Sequence, residues 1–145
     1  MTKDFSMMGH DHVARYLATN GEIGHFWNGV NCLVLFTRGR ASGEIRSVPL
    51  IYGEDGHRFV VVASRGGSTQ HPFWYTNVEA DPAVSVQVGA EHFEAVARTA
   101  RGDERARLWA LMNEIWPAYE RYQTRTEREI PVLLLDRAAA KSSPG

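Results

Sequence analysis

The chain has 145 residues, enough for one domain with a full hydrophobic core. Hydrophobic residues make up 43% and charged residues 23%, and the formal net charge of −1 provides no global field to draw nucleic acid or an anionic membrane. No apolar run approaches the ~18 residues of a spanning helix, and the single cysteine, Cys32, excludes an intramolecular disulfide.

In chain order, Met1–Met8 lacks the apolar centre of a secretory signal. Residues 11–19 predict a short helix, with Val13, Tyr16 and Leu17 at helical spacing and Asn20-Gly21 as its stop. Cys32 to Phe36 is a continuous apolar run of strand length, followed by a basic turn from Thr37 to Gly43. Arg46 to Tyr52 predicts a second strand, and Pro49 within it demands an edge or a bulge. Gly53-Glu-Asp-Gly56 has hairpin chemistry, and Arg58 to Ser64 predicts a third strand buried on both faces.

A helix is expected from His71 to Glu79, with Pro72 in its first turn and Asp81-Pro82 as its end. Val84, Val86 and Val88 alternate with polar residues, as does the run from His92 to Arg98. Asp103 and Glu104 suit the positive end of a helix starting near Gly102. Leu108, Met112, Ile115 and Trp116 share one face of it, and Pro117 ends or kinks it. Ile130 to Leu135 predicts the last strand, and the small, polar tail Ala138–Gly145 reads as disordered, leaving residues 1–137 as one domain. About six mostly antiparallel strands in so short a chain favour a small closed or split barrel with flanking helices.

Three groups of residues carry possible chemistry. The first is the glycine turn Ser64-Arg65-Gly66-Gly67, where a strand end can present several backbone N–H groups to one ligand. The second is the set Arg38, Arg40, Arg46 and Arg65, suited to a phosphate or several carboxylates. The third is Trp116, Tyr119 and Tyr122, whose spacing of three suits an aromatic wall over a planar ring, with phenols free to donate. Phosphate-loop, dinucleotide-fold and nucleophile-elbow signatures are missing from the sequence. One cysteine disfavours a thiolate zinc site, and no metal site is expected. His10 and His12 read as residues near a mobile terminus, and His25, His57 and His92 as surface or satisfied structural histidines.

Taken together, Thr37–Leu50, Ala63–Gly67, His71–Asn77, Ala80–Pro82, Tyr119–Gln123 and Arg128–Val132 resemble the deazaflavin-dependent nitroreductase family of actinobacteria. The resemblance covers roughly residues 24–136 and implies a split β-barrel that binds coenzyme F420, an 8-hydroxy-5-deazaflavin with a phosphate and an oligoglutamate tail. It implies that Arg40, Ser42 and Arg46 lie near the phosphate and tail, with Ala41 and Ser47 also among the cofactor-binding residues. Pro49 and Leu50, with the turn Ala63, Ser64, Arg65, Gly66 and Gly67, match positions that edge the ring, and Val48, Ile51 and Val62 are further cofactor-binding residues. Phe73, Trp74, Tyr75 and Asn77 match the helix that closes the groove. Ile51, Trp116, Tyr119 and Tyr122 match the substrate side, with Tyr119 also over the ring.

The sequence departs from the family pattern at Arg65, where lysine is usual, at Ala41, which removes a cation, and at Trp116, where some members have tyrosine. The resemblance implies hydride transfer from reduced F420 to an electron-poor enone, lactone or nitroaromatic. Tyr119, Tyr122, Ser64 or solvent would supply the proton. An FMN-dependent split-barrel oxidoreductase and a non-catalytic deazaflavin carrier are the alternatives. A small-molecule substrate, no nucleic-acid partner, a monomer or homodimer and a cytoplasmic location are expected, with contact at a membrane surface left open.

Overall fold

The structure is a computed structural model and describes residues 10–138; the expectations for Met1–Met8 and for the tail beyond Ala138 lie outside the described residues. Within them the elements run α1 (His10–Ala18), β1 (Phe26–Trp27), β2 (Val30–Arg38), β3 (Ile45–Ile51), β4 (Gly53–Asp55), β5 (Arg58–Val62), α2 (Phe73–Ala80), β6 (Ala83–Val88), β7 (Glu91–Thr99), α3 (Gly102–Ile115), α4 (Ala118–Gln123) and β8 (Val132–Arg137). All strand pairs are antiparallel. Their order is β1-β2-β6-β7-β8-β5-β4, with β3 paired to β2 off that path. This is the expected split barrel, a curled antiparallel sheet with helices against its faces and open edges.

Eight strands form where about six are expected. The two additions, β1 and β4, are two and three residues long, too short for any alternation to show. Pro117 makes a full break: α3 stops at Ile115, and Tyr119 and Tyr122 ride on a separate helix, α4. Pro72 stands at the N-cap of α2 and leaves His71 outside the helix.

Period-two alternation divides the core. Val61, Leu133 and Leu135 point into the barrel with Leu33, Leu35, Val84 and Val86. Val60, Val62, Val132 and Leu134 point to the other side, beneath Leu108, Met112 and Trp116. Both faces of β5 and β8 are therefore covered, which is why their sequences are unbroken apolar runs. On β2, Val34 packs with Val13 and Tyr16 of α1. Tyr16 Oη donates to Cys32 O and accepts the Gly89 N–H, which fastens α1 to the barrel.

The position of β3 decides where a ligand can enter. It pairs on one side only, with Val34 opposite Pro49 and Leu35 opposite Val48. Tyr52 N–H donates to Asn31 O, so the bonded pairs of this antiparallel ladder fall at alternate positions, Leu33 with Leu50 and Leu35 with Val48. Ser47, Pro49 and Ile51 then turn their backbone groups to the open edge. Pro49 needs no N–H there, so the edge accepts it without losing a ladder bond.

Candidate functional site

A cavity of about 510 Å³ opens along this edge. Val48, Pro49, Leu50 and Ile51 form one wall, and Val62, Ser64, Arg65 and Gly66 form the next. Pro72, Phe73 and Trp74 close it from α2, and Trp116, Tyr119 and Tyr122 face it from the α3–α4 junction. The volume is in the range of small-molecule sites, and the lining is mostly apolar with a few polar groups, as such sites require.

The turn after β5 supplies the most specific geometry. Arg65, Gly66 and Gly67 all have positive φ, at 46°, 62° and 84°. The Ser64 and Arg65 carbonyls accept from Gly67 and Ser68, while the N–H groups of Ser64, Arg65 and Gly66 make no hydrogen bond to another described residue. Three successive unpaired amides on a left-handed turn form a donor nest for an anion or a carbonyl oxygen. A Cβ on Gly66 would meet nothing within 4 Å, whereas one on Gly67 would stand 2.6 Å from Tyr122 O. Gly66 thus faces open space, and Gly67 lets the turn lie against α4.

The aromatic group assembles by a different route from the one its spacing suggests. Trp116 caps α3 while Tyr119 and Tyr122 belong to α4, and the break at Pro117 still leaves all three on the cavity. Tyr119 and Tyr122 meet edge to face at 6.1 Å, and neither hydroxyl bonds to another described residue. Burial, with Cys32 and Tyr122 nearby, pushes the Tyr119 phenol well above its ordinary range. It stays neutral, a hydrogen-bond donor at any physiological pH. Burial pushes the Cys32 thiol up to about 12, so this cavity residue holds no thiolate.

Other expected site residues sit elsewhere. Asn77 is 3% exposed and spent on the hairpin: its Oδ1 accepts the Arg40 N–H at 3.2 Å and its Nδ2 donates to Thr37 Oγ1. Tyr75 and Ala63 are in the barrel core, with Tyr75 Oη bonded to Thr99 Oγ1. Arg40, Ala41, Ser42, Arg46 and Ser47 belong to the hairpin beside the cavity rather than to its walls. Arg40 Nη1 donates to Thr76 Oγ1, Arg46 pairs with Glu44 at 3.3 Å and Arg38 with Asp81 at 3.9 Å. Arg65 is at the wall itself, its guanidinium reaching Gln70 Oε1 at 3.4 Å.

Sequence reasoning missed three residues. His12 is 3% exposed and lines the cavity, against the expectation of a residue near a mobile terminus. Its Nε2 is 2.8 Å from Gly24 O and must donate, because a carbonyl only accepts. The signal was its place one turn before Tyr16 on the buried face of α1. Trp27 lines the cavity and stacks on Trp116, ring centres 5.7 Å apart. Arg128 holds the turn: Nε donates to Ser68 O at 2.8 Å, Nη2 to Ser64 O at 2.8 Å, and Nη1 to Ala63 O at 3.3 Å. Gln123 secures the segment carrying Arg128 to α4, donating to Arg128 O and accepting from the Ile130 N–H.

The open edge, the amide nest and the aromatic wall around one cavity define a split-barrel oxidoreductase built to hold a planar redox ring. The ring of a deazaflavin would fit these walls, which offer apolar residues to its faces and, from the turn, backbone amides to its carbonyl edge; Arg65 stands in the same wall. The sequence model of the F420H(2)-dependent quinone reductase family matches residues 8–137, and the chain belongs to that family. It is an F420-dependent oxidoreductase, and coenzyme F420 is its cofactor. An F420H(2)-dependent quinone reductase of Mycobacterium tuberculosis is 40% identical over 130 residues, 87% of each chain. A solved F420-H2 dependent reductase (FDR-A) superposes with a TM-score of 0.68 at 42% identity, covering 72% of this chain and 93% of that one. Another solved chain, a domain-swapped dimer, has the same identity and TM-score and is covered to 79%. Among the described residues no helix is long and apolar enough to cross a membrane.

Proposed function

We propose that the chain reduces a quinone with coenzyme F420H2, the ring lying between the β3 edge and the Ser64–Gly67 turn and the acceptor beneath Tyr119 and Tyr122. The observation that carries this reading is the pairing, in one cavity, of three backbone amides with two tyrosine hydroxyls, none of which has a hydrogen-bond partner among the described residues. Bound reduced F420 supplies a hydride. The chain supplies position, exclusion of water and hydrogen bonds.

The turn amides of Ser64, Arg65 and Gly66 hold the carbonyl edge of the ring. Arg40 and Arg46 on the neighbouring hairpin meet the phosphate and carboxylates of the tail. Trp116, stacked on Trp27, forms the apolar side of the acceptor space together with Ile51. Tyr119 and Tyr122 donate hydrogen bonds to the acceptor's oxygen as negative charge builds there, and a proton then completes the hydroquinone. Ser64, also at the wall, is the remaining hydroxyl within the site.

A quinone is favoured over the enones, lactones and nitroaromatics that share its electron-poor conjugation because the related proteins are quinone reductases. A cytoplasmic location goes with this reading. The test is turnover of F420H2 by the purified protein with a soluble quinone, an enone and a nitroaromatic in parallel. The quinone is expected to give the highest kcat/KM. A tenfold preference for either other acceptor would displace the quinone assignment. Stoichiometric cofactor binding without any turnover would make the chain a carrier.

A further inference from the structure

The Ser64–Ser68 turn is unusual in what holds it. The Ser64, Arg65 and Gly66 amides make no hydrogen bond to another described residue, yet the carbonyls of Ser64 and Ser68, with that of Ala63 just before the turn, converge on the single guanidinium of Arg128. In a trans peptide the carbonyl and the next N–H point in opposite directions. Drawing the Ala63 and Ser64 carbonyls to Arg128 therefore aims the Ser64 and Arg65 N–H groups away from it. Arg128 is not among the cavity's walls, while Ser64, Arg65 and Gly66 are.

The guanidinium is itself oriented by a fourth acceptor. Its Nη1 lies 3.1 Å from His71 Nδ1. An arginine has five donors and no acceptor, so His71 must present an unprotonated Nδ1 to it. The groups facing His71 are Arg128, the carboxylate of Glu79 and the Tyr75 ring, whose centre is 4.7 Å away. Burial first, and then Arg128, hold the His71 pKa below its ordinary value, against the pull of Glu79. Arg65 adds a second cation beside Arg128.

We propose that Arg128, oriented by neutral His71, is a positioning residue for the cofactor: it sets the turn so that the Ser64–Gly66 amides form a donor array before the ring arrives. The inference rests on the site assignment above. Lysine offers one compact ammonium with three donors and cannot span three carbonyls and an imidazole in one plane. Protonation of His71 removes the fourth acceptor and sets two cations together, so the array should loosen as pH falls.

The experiment is an F420 titration of the wild-type protein, Arg128→Lys and His71→Asn, at pH 7.5 and pH 5.5, with backbone amide NMR of each. Asparagine keeps an acceptor and does not titrate. Arg128→Lys should weaken F420 binding by about tenfold or more and raise the KM for cofactor more than it lowers kcat. The Ser64, Arg65 and Gly66 amide signals, shifted by F420 in the wild type, should lose most of that shift. Wild-type affinity should fall by a larger factor between the two pH values than that of His71→Asn, each protein being compared with its own affinity at pH 7.5. Unchanged affinity and amide shifts in a folded Arg128→Lys protein would overturn the positioning role, and identical pH profiles for wild type and His71→Asn would overturn the part given to His71. If F420 binds the wild type without moving these amides, the site assignment itself fails, an outcome distinct from the other two.

Discussion

Gly66 and Gly67 look interchangeable in sequence, yet Gly67→Ala should cost far more stability. At both positions φ is positive, 62° and 84°, and a Cβ there costs about 1–2 kcal/mol. Gly66→Ala meets nothing within 4 Å and should lose only that amount. At Gly67 the new carbon would stand 2.6 Å from Tyr122 O, 3.0 Å from Tyr122 Cα and 3.1 Å from Arg125 Cβ. Two of these atoms are backbone, so no rotamer change relieves them. The turn and α4 must part by close to an ångström, and overpacking of this kind costs a further ~1–3 kcal/mol. The expected totals are about 1–2 kcal/mol for Gly66→Ala and about 2–5 kcal/mol for Gly67→Ala. Urea unfolding followed by circular dichroism gives both values. Equal losses in the two variants, within about 0.5 kcal/mol, would refute the reasoning that Gly67 is required by contact with α4. Function should separate them in a second way: Gly66→Ala, whose methyl enters the open side of the nest, should weaken F420 binding while leaving the fold largely stable.

Tyr119→Phe and Tyr122→Phe should each keep F420 affinity, and the hydroxyl that acts on the acceptor should cost about 10²–10⁴-fold in turnover when removed; normal steady-state rates in both variants and in the double would leave Ser64 or solvent as the proton source. Arg65→Ala should weaken F420 binding by the ~1.5–3 kcal/mol of a charge-assisted contact and flatten its salt dependence, which titrations at two ionic strengths would show. Asp55 receives two bonds from Arg107, at 2.9 and 3.2 Å, and one from Arg58 at 2.9 Å, and these hold its carboxyl below the usual range. A depressed carboxylate pKa stabilises the fold above the unfolded-state value of about 4, and that stabilisation is lost as pH falls through the folded value. Asp55→Asn should therefore melt below wild type at pH 7, and the gap in Tm should close as the pH drops below about 4.

Much of the protein could be read from its sequence because the determining signals are local. Val60-Val61-Val62 and Leu133-Leu134-Leu135 announce strands buried on both faces, and Pro49 announces an edge because it has no N–H to give a ladder. The glycine turn and the tyrosines at 119 and 122, which line one cavity, could be picked out for the same reason, since φ preference and residue type are properties of the residue itself. What the sequence left open depends on groups brought together across long separations. Asn77, grouped with the cofactor residues, is spent on Thr37 and Arg40, 40 and 37 residues away. His12 enters the cavity wall only because Tyr16 anchors α1 to Cys32 and Gly89. Arg128 governs a turn 60 to 65 residues before it, and no spacing rule reaches that far. Local propensity chose the elements and their chemistry. The curl of the sheet chose which of those side chains meet, because hydrogen bonds and packing act through space and carry no memory of chain distance.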